Sequence, residues 1–210
     1  MEPFADTIAT QDELRAVYPQ PPTPRSVAKE MSHFDRHIRA FIARSPIVVV
    51  ATASADGLCE ASPRGGEPGW VRVLDDHRLL MPDNRGNNRL DALRNIVATG
   101  QIALLFLVPG RRETLRVNGE AWITTDRELL EQVSLDGKVC PAGVGVWVRT
   151  AYMQCAKALM RSQIWEPDAW PDLDGLAPPA EISRDHAAPD ATVEAIEASL
   201  QESYTQRYTW

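Results

Sequence analysis

From Pro46 to Ala151 the chain is a succession of short β-branched, apolar runs separated by turn signals, and a single longer stretch within it carries a clear helical repeat. That pattern constrains the fold more than anything else in the sequence. Pro46–Ser54 is apolar and β-branched, and Ala55-Asp56-Gly57 is a hairpin turn that sends Leu58–Ser62 back alongside it. A Gly/Pro-rich loop, Pro63–Gly69, leads to strands at Trp70–Leu74 and Arg78–Met81, turned at Asp75-Asp76-His77. Gln101–Val108 is a continuous apolar run, and Pro109-Gly110 turns it into the alternating Thr114–Thr124. Val144–Ala151 reads as the last strand. About six antiparallel strands joined by hairpins, with one helix inserted mid-sheet, predict a small barrel rather than a parallel α/β sheet. No strand–GxGxxG–helix unit is present, which disfavours a Rossmann nucleotide site.

Helices flank this core. Gln11–Val17 reads as a short helix. Val27, Met31, Phe34, Ile38, Phe41 and Ile42 recur at three- and four-residue steps, predicting one amphipathic helix that ends near Arg44. Asn88–Ala98 is the helix inserted in the sheet, with Gly100 at its C-terminal cap. Asp126–Leu135 reads as a small acidic helix, Ala156–Trp165 as a basic one, and Thr192–Tyr208 as a final one. The expected organisation is a helical segment over 1–45, a barrel over 46–165 and an acidic tail over 166–210.

Charge is unevenly placed. Of the net −7, the residues from Glu166 onward hold 10 acids against 2 bases, so the remaining body is nearly neutral, with 19 acids and 20 bases. A neutral body with an acidic tail makes a poor duplex binder, since that affinity needs a concentrated basic face. Neither a membrane-spanning apolar run nor a secretion-type N-terminus is evident, so a cytoplasmic location is expected. Cys59, Cys140 and Cys155 are too scattered for a disulfide framework or zinc site, and are expected as small buried hydrophobes. His33 and His37, one helical turn apart, lack a third ligand and read as solvated or capping side chains.

Three segments can carry chemistry. Around Asp83-Asn84-Arg85-Gly86-Asn87-Asn88-Arg89-Leu90-Asp91, Gly86 permits a tight turn and Asn88 can cap the following helix, with Asp91 three places on. The free N–H groups of that helix start then face the loop, where Arg85 and Arg89 can grip phosphate oxygens. A plain capped helix with solvated arginines fits these residues equally well. In Ala61–Gly69, three glycines let the backbone approach a flat ligand, and Ser62, Arg64 and exposed peptide groups can hydrogen-bond a ring bearing carbonyls. An ordinary loop is the alternative. In Tyr152–Ser162, Lys157 and Arg161 lie one turn apart and can reach an anion, or simply form a solvated face.

Taken in order, Ser62-Pro63-Arg64-Gly65-Gly66, Val71–Asp76, Gly86–Asp91, Glu113-Thr114-Leu115-Arg116-Val117-Asn118-Gly119 and Cys155–Leu159 with Arg161-Ser162 resemble the FMN-binding split-barrel family that includes pyridoxamine 5′-phosphate oxidase. Within it, the resemblance is greatest to the subgroup of FMN-dependent proteins of unassigned substrate. It implies a mainly β, six-stranded antiparallel split barrel with flanking helices, a homodimer, and two FMN sites at the subunit interface. By the same resemblance Ser62, Pro63, Arg64 and Gly65 line the flavin ring with Asp83 beside it. Asn87, Asn88 and Arg89 hold the phosphate, and Thr114 and Arg116 stand on a strand approaching the cofactor. Lys157 and Arg161 come from the partner chain or face the substrate. The sequence departs from the family at Gln154, where a His is frequent, and at Asn88, where the best-known member has a second basic residue, so the phosphate leans on Arg64 or Arg85.

The implied activity is that of an oxidoreductase moving a hydride between a small molecule or NAD(P)H and FMN. No side chain is then needed as a nucleophile, and no catalytic residue is assigned; Arg64 and Lys157 are the candidates for polarising the flavin or orienting an anionic substrate. Two alternatives stand. The deazaflavin F420, used by relatives of this barrel, has a longer acidic tail that Arg111 and Arg112 can meet. A flavin- or haem-binding module without turnover, with His33 or His37 as haem ligand, is the other.

Overall fold

The structure, a computed structural model, describes residues 4–84, 86–135 and 137–205. The middle of the chain forms one antiparallel sheet of seven strands, one for each strand segment read from the sequence, where the barrel was expected with six: β1 Ile47–Ala53, β2 Cys59–Gly65, β3 Arg72–Val73, β4 Arg78–Asp83, β5 Gln101–Leu107, β6 Thr114–Thr124 and β7 Ala142–Gln154. Their order is β2-β1-β5-β6-β7-β4-β3. β3 is only two residues long, paired to β4 through Arg72–Leu80 and Val73–Leu79. Among the described residues no ladder joins β2 to β3, the two ends of the order.

Alternation places the core. Val48 and Val50 on β1, Leu104 and Phe106 on β5, Leu115 and Val117 on β6, and Val146 and Val148 on β7 all point to one side and are buried. Burial of each such side chain contributes roughly 1.5–3 kcal/mol. Gly119, at a register shift between β6 and β7, lets the two backbones meet: a Cβ there would lie 2.0 Å from the carbonyl oxygen of Trp147.

The helices are α1 Gln11–Val17, α2 Pro24–Ala28, α3 Arg36–Ile42, α4 Asp91–Thr99, α5 Arg127–Glu131, α6 Lys157–Ser162, α7 Pro179–Ala187 and α8 Val193–Thr205. The single amphipathic helix expected from Val27 to Arg44 is two helices. Between them Met31 exchanges backbone hydrogen bonds with Ala151 at 3.0 and 2.7 Å, and Asp35 restarts the helix by accepting from the N–H groups of His37 (3.0 Å) and Ile38 (2.8 Å). Phe34, Ile38 and Ile42 still reach the core, so the apolar spacing served burial rather than helix continuity.

α4 packs against β1, with Ala92 and Ile96 in the core. It is pinned by Asn95 Nδ2, which donates to Thr52 Oγ1 (3.0 Å), and by the Thr99 hydroxyl, which donates to the Ala53 carbonyl (3.3 Å). Gly100 closes it in the left-handed conformation, φ 66°. At the start of the acidic tail, Trp165 Nε1 donates to the Arg111 carbonyl (2.8 Å) and Arg112 pairs with Glu166 (3.2 Å). α7 and α8 then pack on each other, and Ala180 of α7 is buried; residues 206–208 of the expected last helix lie outside the described residues. No helix among the described residues is long and apolar enough to cross a membrane.

The cysteines divide. Cys140 is buried in the core as expected, but Cys59 and Cys155 are exposed, because β2 is an edge strand and Cys155 follows the end of β7.

Candidate functional site

Part of the expected ring-binding loop is strand. Pro63, Arg64 and Gly65 continue β2, with Arg64 opposite Val48 and Ser62 opposite Val50. Register therefore turns Ser62 and Arg64 to the side on which Val48 and Val50 enter the core, while Pro63 and Gly65 face outward and are exposed. The Ser62 hydroxyl is buried and has no hydrogen-bond partner among the described residues. A buried hydroxyl left unpaired costs about 1–3 kcal/mol, and such groups are rare in folded chains unless something else binds there.

β4 ends at Asp83, half-buried, on the same side as Met81. Burial pushes the Asp83 carboxyl above the usual carboxylate range, and the positive charge of Arg64 partly offsets this. β2 and β4 are separated by four strands in the sheet order, so an Arg64 charge felt at Asp83 fits a sheet that curls its two ends toward one another. Burial likewise raises the Cys140 thiol, with a further push from the charge on Asp83. Asn84 follows with a buried side-chain oxygen that has no partner among the described residues. Arg64, Asp83 and Cys140 are thus close enough to feel one another's charge, with Ser62 and Asn84 beside them in sequence, and this end of the sheet is its mouth. Neither Asn84 nor Cys140 is singled out by sequence patterning: Asn84 is one polar residue in a polar run, and Cys140 stands in no motif.

A carboxyl whose pKa is higher folded than unfolded favours the fold most when protonated. Stability is then lost as pH rises from the ordinary carboxylate value through the raised one, and the deficit is constant above it. Asp83→Asn is accordingly expected to stabilise the protein at pH 7 and to make little difference near pH 3. Urea unfolding of both proteins at the two pH values checks this; an equal difference at both would show that Asp83 is not held in a desolvated place.

The turn after Asp83 is exposed, and Arg85 lies outside the described residues. The expected Asn88 cap is not formed. Asn87 Oδ1 accepts from the Arg89 N–H (3.1 Å), Asn88 and Leu90 take left-handed backbone angles (φ 58° and 59°), and α4 begins after Leu90 with no side-chain cap. A left-handed leucine is strained by about 1–2 kcal/mol, and strain of this kind gathers at binding sites. The uncapped first turn leaves backbone N–H groups free for an anion. Arg89, exposed beside them, is paired with Asp91 at 2.8 Å.

Gly66 does not leave room for a ligand: a Cβ there would lie 2.7 Å from Trp70 Cγ, so the chain's own buried indole takes that space, with its Nε1 lacking a partner. Thr114 is buried at the start of β6, and Arg116 faces outward from the same strand, away from the core. Lys157 and Arg161 are exposed on α6, and no hydrogen bond or ion pair among the described residues ties them to the mouth. Arg111 and Arg112, considered for a longer acidic cofactor, are paired with Glu113 (3.2 Å) and Glu166. His37 accepts from Arg36 Nε (3.2 Å), and among the described residues no group of His, Cys, Asp or Glu is arranged to hold a metal ion.

Comparison with known proteins bears on this arrangement. No curated protein matches the sequence significantly. Among solved structures, HupZ of Group A Streptococcus is similar at 22% identity and a TM-score of 0.45, over 57% of this chain and 93% of that one. An FMN-binding protein of Syntrophomonas wolfei subsp. wolfei is similar at 8% identity and a TM-score of 0.43, over 69% of this chain and 96% of that one. A protein described as an F420 reductase is similar at 20% identity and a TM-score of 0.39, over 55% and 94%. Residues 34–147 match the family model described as pyridoxamine 5′-phosphate oxidase. That match takes in β1 to β6, α4 and both segments that form the mouth, and because it spans more than half of the sequence, the chain belongs to the pyridoxamine 5′-phosphate oxidase family.

Proposed function

We propose that this chain is a cytoplasmic homodimer that binds FMN in a site completed by the partner subunit, and that it acts as an oxidoreductase on a small molecule or NAD(P)H. The observation that carries the reading is the Ser62 hydroxyl, buried without a partner among the described residues and two residues from Arg64, near Asp83 and the buried Asn84 oxygen. These groups fit a flat ring edged with carbonyls and N–H groups. When bound, the flavin supplies the hydride chemistry, which the protein need not provide.

The chain's own work is then binding and orientation. Ser62 and Asn84 satisfy polar atoms of the ring, Arg64 adds positive charge beside it, and Asp83, Pro63 and Gly65 shape the rim. Asn87, Asn88, Arg89 and the free N–H groups of α4 seat the phosphate. Thr114 and Arg116 approach from β6. Lys157 and Arg161 reach in from the partner subunit, Lys157 orienting an anionic substrate. In this organisation residues 46–165 hold the flavin, 1–45 flank them, and 166–210 form the acidic tail.

Dimerisation is supported by the outer sheet face. Ala61, Ala51 and Ala103 lie side by side across β2, β1 and β5, next to Val49 and Leu105, a flat apolar surface of the kind that association covers. Ala51→Arg puts a charge at its centre and is expected to leave a folded monomer; light scattering after gel filtration reads this, and an unchanged dimer would place the interface elsewhere.

Native mass spectrometry tests the whole reading. The expected species is a dimer carrying two FMN, released as a yellow, fluorescent flavin on denaturation. A protein that takes up no FMN from an excess, or that carries F420 or haem, overturns it.

A further inference from the structure

Leu79, Met81 and Asp83 share one side of β4, and the first two lie in the core, so an apolar row ends in a half-buried carboxyl. Across the ladder Asp83 stands opposite Ala142 of β7, which has no polar side chain to offer it. Among the described residues the Asp83 carboxyl makes no hydrogen bond and no ion pair. Carboxyls with partners behave differently in this chain: donation from the Ala9 backbone holds Glu13 low, and the Ser54 hydroxyl holds Asp56 low. At Asp83 burial comes first and raises the carboxyl, and the charge of Arg64 only partly offsets it. The buried oxygens of Ser62 and Asn84, without partners among the described residues, stand two residues before Arg64 and one after Asp83.

The titratable groups whose charges meet here are Arg64, Asp83 and Cys140. Arg64 on β2 stays positive at any working pH. Cys140, ahead of β7, keeps its proton, because burial pushes its thiol upward and the charge of Asp83 adds to the push. Asp83 is left as the group whose ionisation a change in local charge can decide. Its unpaired oxygens are free to gain a proton without breaking a bond to the protein.

We infer that the Asp83 carboxylate takes up one proton from water when the bound flavin is reduced. The inference rests on the flavin reading above. A hydride carries two electrons and one proton from its donor, which is oxidised, and brings one negative charge to the ring. A like charge arriving within about 4–6 Å of a carboxylate disfavours the ionised form, so an O–H bond forms at Asp83 with a proton from solvent. Arg64 then faces one negative charge throughout, carried by Asp83 before reduction and by the ring after it. The total charge at the mouth stays the same, and the arriving hydride meets no accumulating repulsion.

Reductive titration of the FMN-loaded protein beside a redox dye, between about pH 4 and pH 8, tests the inference. The potential of the parent is expected to fall more steeply with pH than that of Asp83→Asn, over the interval in which Asp83 is ionised beside the oxidised ring and protonated beside the reduced one. The two proteins are expected to agree at the acid end, where Asp83 is protonated throughout. Toward the alkaline end the variant lacks the opposing charge, and its reduction is expected to be at least tenfold more favourable, about 30 mV for a two-electron couple. Infrared difference spectra within the steep interval, reduced minus oxidised, are expected to gain the carbonyl stretch of a protonated carboxyl in the parent. Asp83→Glu is expected to keep that band at a shifted frequency, and Asp83→Asn to lose it. Should Asp83→Asn release FMN, the band in the parent decides alone. Equal slopes in parent and Asp83→Asn, or no carboxyl band on reduction, overturns the inference and leaves the flavin reading standing. Protein that takes up no FMN refutes that reading and this inference with it.

Discussion

Gly119→Ala is expected to destabilise the protein by about 3 kcal/mol or more, and to leave much of it insoluble on expression. A single added methyl group has nowhere to go, because its carbon would stand 2.0 Å from the Trp147 carbonyl oxygen, which belongs to backbone and cannot swing aside. Ordinary overpacking costs about 1–3 kcal/mol when side chains can shift, and here the two longest strands would have to part at their register shift. β6 and β7 lie in the middle of the sheet order, so separating them disturbs both halves of the core. Urea unfolding compared with the parent protein measures the effect. A variant of parental stability would mean that the bulge relaxes freely and that the close approach of β6 and β7 is not a condition of the fold.

Arg89→Ala is expected to weaken FMN binding on the order of tenfold or more, the usual consequence of removing a hydrogen bond to a charged group. In the structure Arg89 is held by Asp91, its neighbour two residues on, so binding an anion exchanges one carboxylate for a phosphate rather than ordering a free side chain. Fluorescence titration of the flavin-free protein reads the affinity directly. Full retention of flavin through gel filtration and an unchanged dissociation constant would remove Arg89 from the phosphate seat. The free N–H groups at the start of α4 would then have to hold the phosphate without it.

Several elements were readable from local chemistry alone. Gln101–Val108 and Thr114–Thr124 were placed almost to the residue, because a continuous apolar run and an alternating one, divided by Pro109-Gly110, leave little choice. Gly100 is the left-handed stop of α4 for the reason its position predicts. What patterning missed depended on distant partners. Met31 continues an amphipathic repeat, yet it bonds to Ala151, far along the chain, and the helix breaks there. Pro63 and Gly65 carry loop propensity but are drawn into β2 by pairing with Val49 and Ile47. At Asn88 the residue type was right for a left-handed turn as well as for a cap, and the backbone took the turn, passing the cap position to Leu90, which has no side chain able to fill it. The mouth itself was half legible. Ser62, Arg64 and Asp83 carried a motif and Asn84 follows Asp83 in the same polar run, whereas Cys140, which stands in no motif, joins them only through the fold.

The placement of Pro63 has a consequence for how the molecule behaves in a crowded cell. β2 ends the sheet and presents an unpaired row of backbone groups, the usual template on which a foreign strand adds and fibrils begin. A proline within that row offers no N–H, so any strand docking along it meets a missing rung midway and a ring that blocks close approach. The same residue whose loop character obscured the strand therefore keeps a necessarily open border from recruiting unwanted neighbours.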